Sequence, residues 1–258
     1  MQSRRALWIF IGLIGGLTSS LVGIGGGIIF VPALHLWGHL ALKSAIATSV
    51  ACIVPIAAVG ALSHGLVAEG PFPWIPAICL SATAVFTAQL GVASLKRISS
   101  NTMSYMFAGL LIFTAVRMLL SGETGQGTTT PPLWVFPMIG VVSGFASSLL
   151  GIGGGVVMVG AMVGLCDAPM IWSVTVSLTA MVPTTLSGLW AHHRAQLIHW
   201  PAVLPLSVPA IAAAFLGARL AHILPTVVLE GLFGFFLVYA TVRILKRARV
   251  NPEVNLAR

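Results

Sequence analysis

The string LVGIGGG at residues 21–27 returns as LLGIGGG at 149–155, and each copy follows a serine pair, Ser19-Ser20 or Ser147-Ser148. A run of three glycines inside an apolar stretch breaks a helix. The freed N–H and C=O groups are tolerated in lipid only where they line a cavity or lie buried in protein. A helix restarting after such a break aims unpaired N–H donors and a positive dipole end at the gap. Glycine, without a Cβ, allows close approach. The chemistry expected is capture of a small anion by the backbone of Gly25, Gly26 and Gly27 and of Gly153, Gly154 and Gly155. Hydroxyls of Ser19, Ser20, Ser147 and Ser148 would add donors. The competing reading makes Gly23/Gly27 and Gly151/Gly155 helix-packing faces of the GxxxG kind; the contiguous triplet in both copies favours the binding loop. A dinucleotide fingerprint is excluded, since neither a strand nor an acidic partner accompanies the glycines.

A second set of hydroxyls comes from Ala47-Thr48-Ser49, matched in the second copy by Thr175, Ser177 and Thr179. Such groups either line a pore or bond back to their own helix, and both readings stay open. Pro55 and Pro183 follow at the same place in each copy and are expected to kink their helices. Gln89 stands in an otherwise apolar span, needs a hydrogen-bond partner and is expected at a cavity. His64 and His192 also match. Histidine titrates near neutrality, so they are candidates for proton relay, with simple interfacial placement as the alternative.

The remaining chemistry is excluded or weak. No carboxylate falls at a predicted midplane, which disfavours a cation site. Cys52, Cys79 and Cys166 stand singly without metal or disulfide spacing, as small buried hydrophobes do. HExxH, paired carboxylates and a Ser/His/Asp set are all missing, so no enzyme activity, catalytic residue, metal or cofactor is expected.

The elements that must position these loops follow from composition. The chain of 258 residues is 57% hydrophobic and only 7% charged, with mean hydropathy +1.02. A soluble domain carries about 25% charged residues. Charge-free runs at 6–41, 44–68, 70–95, 133–166 and 168–193 are each long enough for a membrane helix of about 20 residues. The fold class expected is therefore an all-α polytopic membrane protein. Alternating strands of a β-barrel are not visible.

Sliding the chain by 128 positions superimposes Ser49 on Ser177, Pro55 on Pro183, Gly60 on Gly188 and His64 on His192. After a loss of two residues, Gly91 meets Gly217 and Phe107 meets Phe233. The chain is thus two halves. If each glycine loop breaks its helix, each half has five segments, at 6–22, 27–40, 44–64, 73–94 and 103–120, then at 133–149, 155–166, 169–190, 200–220 and 227–245. The segments after the loops are short, which allows eight full spans plus two short or re-entrant ones.

With a cytoplasmic N-terminus, Arg4, Arg5, Lys43, Lys96, Arg97, Arg194, Lys246, Arg247, Arg249 and Arg258 all fall on the cytoplasmic side, as the positive-inside rule asks. Glu69, Glu123 and Asp167 fall outside, and only Arg117 and Arg219 lie near outer ends, where a long side chain can snorkel. An odd count per half turns the second repeat upside down, as in many secondary transporters. The organisation expected is a first transmembrane repeat at 1–120, an external linker at 121–132, a second repeat at 133–250 and a cytoplasmic tail at 251–258. The net charge of +8 is spread between apolar segments and at the ends, so it does not point to nucleic acid.

GIGGGIIFVP at 23–32, ATS at 47–49, the second GIGGG at 151–155 and LGARLA at 216–221 resemble the sulfite exporter TauE/SafE family of bacterial membrane transporters, over about residues 6–245. The second half departs from the pattern, with Gly160 in the place of Pro32 and Val176-Ser177 in that of Thr48-Ser49. The resemblance implies a bacterial cytoplasmic membrane protein that moves sulfite, organosulfonates or related sulfur compounds, often outward. Together with the loops, it leads to an expected secondary exporter of a small sulfur-containing anion, working by alternating access. A passive anion channel and a carrier of non-sulfur organic anions are the alternatives. The partners expected are that anion, the lipid bilayer and, as an open option, further copies of the chain.

Overall fold

The structure, a computed structural model, describes residues 2–67, 71–94 and 130–250 and a few helical positions between 105 and 112. The described residues form helices and connecting loops, with no strand among them. The helices are α1 (Gln2–Val22), α2 (Gly27–Leu36), α3 (Leu42–Val67), α4 (Trp74–Ser94), α5 (Val135–Leu150), α6 (Gly155–Cys166), α7 (Met170–Arg194), α8 (Trp200–Ile223) and α9 (Thr226–Val250). Their limits lie within a few residues of the expected segments. The segment at 103–120, most of the 121–132 linker and the 251–258 tail lie outside the described residues.

Among the described residues, α3, α4, α7 and α8 are long and apolar enough to cross a membrane. The apolar stretches at Ala6–Val22, Gly27–Leu36, Val135–Leu150, Gly155–Cys166 and Thr226–Phe235 are shorter. At 1.5 Å per residue, α2 and α6 are about 15 and 18 Å long, roughly half of a 30 Å hydrocarbon core. They are half-helices that begin inside the protein. Pro55 and Pro183 sit within α3 and α7 without interrupting either helix.

The distribution of side chains is inside-out by the standard of a soluble protein. Leu66, Ile223, Phe86 and Leu204 are each more than 70% exposed, while Ser19, Ser20, Thr48, Ser49, Ser147, Ser148 and Ser177 are 0% exposed. Hydrocarbon as solvent explains both: it accepts Leu and Phe at no cost, and hydroxyls turn inward.

Packing is reciprocal between the halves. The first helix of each half lies against the fourth helix of the other, α1 on α8 and α4 on α5. Small residues bring the backbones together. A Cβ on Gly16 would strike the Ala210 carbonyl, and one on Gly144 the Ala84 carbonyl. One on Gly12 would meet Leu206, and one on Gly140 the matching Leu80. The GxxxG packing faces are therefore Gly12/Gly16 and Gly140/Gly144, one turn or more before the loops.

Candidate anion site

Each loop is held by three left-handed glycines. Gly23, Gly25 and Gly26 have φ of 71°, 81° and 70°; Gly151, Gly153 and Gly154 have 71°, 82° and 80°. An L side chain in that region costs roughly 1–2 kcal/mol, so glycine is needed at the first, third and fourth positions of GIGGG. The fifth is glycine for another reason. Gly27 and Gly155 start their helices, and a Cβ on either would overlap a carbonyl of the opposite loop, Gly151 or Gly23. The two loops therefore touch, backbone to backbone. Fully buried Ile53 and Met181, equivalent residues of α3 and α7, fill the space beside them: both approach the Cβ positions of Gly25 and Gly153. Nothing in the sequence marks these two apolar residues as lining the centre.

The loops leave donors over. Gly26 caps α2, its carbonyl accepting from Ile29 and Phe30 at 3.0 Å; Gly154 likewise accepts from Val157 and Met158 at 3.1 and 3.0 Å. Among the described residues, the N–H groups of Gly25, Gly26, Gly27 and Ile28 find no acceptor, nor do those of Gly153, Gly154, Gly155 and Val156. The hydroxyls of Ser19, Ser20, Ser147 and Ser148 are also buried without a hydrogen-bond partner. Buried polar groups are paired in most proteins, and each unpaired one costs about 1–3 kcal/mol. Two equivalent sets of surplus donors, amides at the start of α2 and α6 and hydroxyls in the last turns of α1 and α5, suit a ligand that only accepts: an oxyanion.

Ser49 and Ser177 hold the loops in place. Ser49 Oγ donates to the Gly151 carbonyl at 2.8 Å, and Ser177 Oγ donates to the Gly23 carbonyl at 3.2 Å, so each half clamps the loop of the other. The Ser49→Ala variant leaves a buried carbonyl without its donor. It is expected to lose about 1–3 kcal/mol, seen as a lower thermal midpoint in detergent, with anion affinity changed far less than stability.

Thr48 and Thr175 bond back to their own helices, to the Ser44 and Ile171 carbonyls at 2.7 and 2.9 Å. Thr179 does the same to Thr175 at 2.7 Å. Thr48 Oγ1 also accepts the His199 N–H at 2.9 Å, which ties the start of α8 to α3. Gln89, expected at a cavity, is exposed on α4 and donates to Ser187 Oγ at 3.2 Å. An amide in an apolar span needs a partner, and α7 supplies one away from the loops.

His64 and His192 are fully buried, and each binds the serine carbonyl before its own loop. Nε2 of His64 is 2.8 Å from the Ser20 oxygen, and Nε2 of His192 is 3.2 Å from that of Ser148. They therefore reach the helix ends that lead into the loops, which their places near segment ends do not foretell. His222, on α8, was not singled out by sequence, yet its Nε2 lies 3.1 Å from His64 Nδ1.

Broken half-helices meeting inside an apolar helical bundle, with surplus donors at their tips, define a membrane transport protein rather than a soluble binding module. The chain belongs to the sulfite exporter TauE/SafE family, whose model matches residues 1–118 and 132–257. It is similar to a probable membrane transporter protein of Haemophilus influenzae, 27% identical over 92% of this chain and 96% of that protein. A probable membrane transporter protein of Methanocaldococcus jannaschii is 26% identical over 83% and 85% of the two chains. Another, from Bacillus subtilis, is 22% identical over 83% and 89%. No solved structure matches the chain significantly.

Proposed function

We propose that the protein is a secondary carrier for a small sulfur-containing oxyanion, such as sulfite or an organosulfonate. It would work by alternating access around a midplane site between two inverted repeats. The single observation that carries this reading is the set of four buried serine hydroxyls without partners beside two loops of unpaired amides. A tetrahedral or pyramidal oxyanion presents several acceptor oxygens, enough to satisfy donors from both tips at once. The ten-segment scheme puts both termini in the cytoplasm of a bacterial inner membrane.

A carrier is favoured over a passive channel by the centre itself. The loops are in contact and Ile53 and Met181 occupy the adjoining space, so an anion enters only when the halves move apart. Methionine suits that place, since its unbranched thioether repacks easily. The chain carries no nucleotide-binding motif, so the work comes from the anion's own gradient or a coupled ion, and export follows where the cytoplasm generates the anion.

Counterflow tests this. Proteoliposomes preloaded with unlabelled sulfite are expected to take up radiolabelled sulfite transiently above equilibrium, and sulfonates are expected to compete. Uptake without overshoot defines a channel instead. Competition by acetate alone, with none from sulfite or sulfonates, overturns the sulfur assignment.

A further inference from the structure

The two buried histidines are equivalent in sequence and in their bond to a serine carbonyl, yet only one has a partner on its other nitrogen. His64 Nδ1 meets His222 Nε2 at 3.1 Å, with ring centroids 5.1 Å apart. Among the described residues, His192 Nδ1 has no hydrogen-bond partner. In sequence register the residue of the first half that matches His222 is Lys96, so the imidazole pair belongs to one side only.

Tautomers in the pair are fixed by the carbonyl. The Ser20 oxygen can only accept, so His64 Nε2 carries a hydrogen. Neutral His64 then has a bare Nδ1, which must accept from His222 Nε2–H. Neutral His222 in turn has a bare Nδ1. His222 is half-buried and lines an open groove of about 590 Å³ with Val67, Arg219 and Ile223. Arg219 is held there with its guanidinium 4.6 Å from the Phe215 ring centroid. No acidic side chain lines the groove among the described residues. Among the described residues, the groups facing His64 from neighbouring elements are His222 of α8 and the Ser20 carbonyl of α1.

A proton arriving from the groove binds His222 Nδ1. With an anion at the loops, the Nε2–H bond of His222 then breaks as an Nδ1–H bond forms on His64, leaving His222 neutral in its other tautomer and His64 cationic. One proton is taken up and one charge results. A second cannot follow, because both facing nitrogens would be donors. The charge rests on a ring bonded to Ser20, whose hydroxyl is among the surplus donors of the first loop. It is thus delivered to the edge of the site through a single residue.

We infer that His64 and His222 form a proton-binding pair, loaded from the Arg219 groove, whose charge compensates the bound anion, so that proton and anion binding reinforce each other. This rests on the carrier reading above. A buried anion is costly without a compensating charge, and no other cationic side chain touches the loops among the described residues. Linkage makes the effect mutual: an anion that favours the proton is favoured by it equally.

The test is the apparent affinity for sulfite in counterflow at equal pH on both sides, at about pH 6 and pH 8, on either side of the ordinary histidine range. Wild type is compared with His222→Gln at each pH. Both proteins meet the same mixture of sulfite and bisulfite, so their ratio reports on the protein alone. The variant is expected to bind sulfite at least about fivefold more weakly at pH 6 and within about twofold of wild type at pH 8. His64→Gln should behave alike if it folds; the half-buried His222 position keeps the test open if it does not. Equal affinities at both pH values, or the same loss at both, overturn the inference and leave the carrier reading standing. Absence of counterflow by wild type itself overturns the carrier reading, and this inference with it.

Discussion

Gly155→Ala is expected to reduce transport to less than about 1% of wild type and to lower folding stability by about 3 kcal/mol or more, the upper end of what overpacking costs. The added Cβ falls on the Gly23 carbonyl oxygen and 2.9 Å from Met181 Sδ. The sulfur can swing away, but the carbonyl cannot. It is main chain in a left-handed loop and already accepts from Ser177 at 3.2 Å. Relief requires the two loops to part, which takes the amide-bearing tips out of register. Gly27→Ala meets the matching obstacle at the Gly151 carbonyl, itself held by Ser49, and should fail in the same way. The controls are Gly231→Ala and Gly234→Ala in α9, where, among the described residues, no atom beyond the adjoining helix backbone lies within 4 Å of the new methyl. Alanine there gains up to about 1 kcal/mol of helix propensity. Yield of monodisperse protein, thermal midpoint and sulfite counterflow distinguish the two classes. A Gly155→Ala protein that folds and transports normally would mean that the loops do not touch.

The broken helices were legible in sequence because glycine triplets have few other uses in lipid, and charges at the segment ends fixed where helices stop. The 128-residue register also held detail: it pairs Ser49 with Ser177, and the two hydroxyls do make equivalent contacts across the halves. Other features escaped for physical reasons. GIGGG offers a GxxxG spacing as a competing reading, but the glycines spaced by four that bring α1 onto α8 and α5 onto α4 are Gly12/Gly16 and Gly140/Gly144, visible under the same register. Ile53 and Met181 look like any other apolar residues, since a membrane helix is apolar on every face and its periodicity does not tell centre from rim. The same uniformity hid the outward placement of Gln89, whose need for a partner was readable although the partner was not. His222 lies at the end of an apolar segment and matches no histidine in the first half. Only the crossing of α8 over α3 brings it to His64.

Removing the surplus hydroxyls should separate binding from folding. Ser20 and Ser148 are 0% exposed and, among the described residues, their hydroxyls have no hydrogen-bond partner, so each hydroxyl carries an uncompensated desolvation cost. Ser20→Ala and Ser148→Ala are therefore expected to leave stability unchanged or raise it by about 1 kcal/mol each, against the usual direction of core substitutions. The anion loses what the fold gains. A hydrogen bond to a charged group contributes about 1.5–3 kcal/mol, so each substitution should weaken sulfite about tenfold or more, and the double variant about a hundredfold or more. The double variant should still fold, and its thermal midpoint should no longer rise on adding sulfite at concentrations that stabilise wild type. Ser49→Ala supplies the opposite signature, a large loss of stability with a small change in affinity, because its hydroxyl is already engaged with the Gly151 carbonyl. If Ser20→Ala/Ser148→Ala were stabilised yet bound sulfite as tightly as wild type, these hydroxyls would be packing groups beside Gly60 and Gly188, against which they lie. Affinity would then have to come from the amide groups of the loops alone.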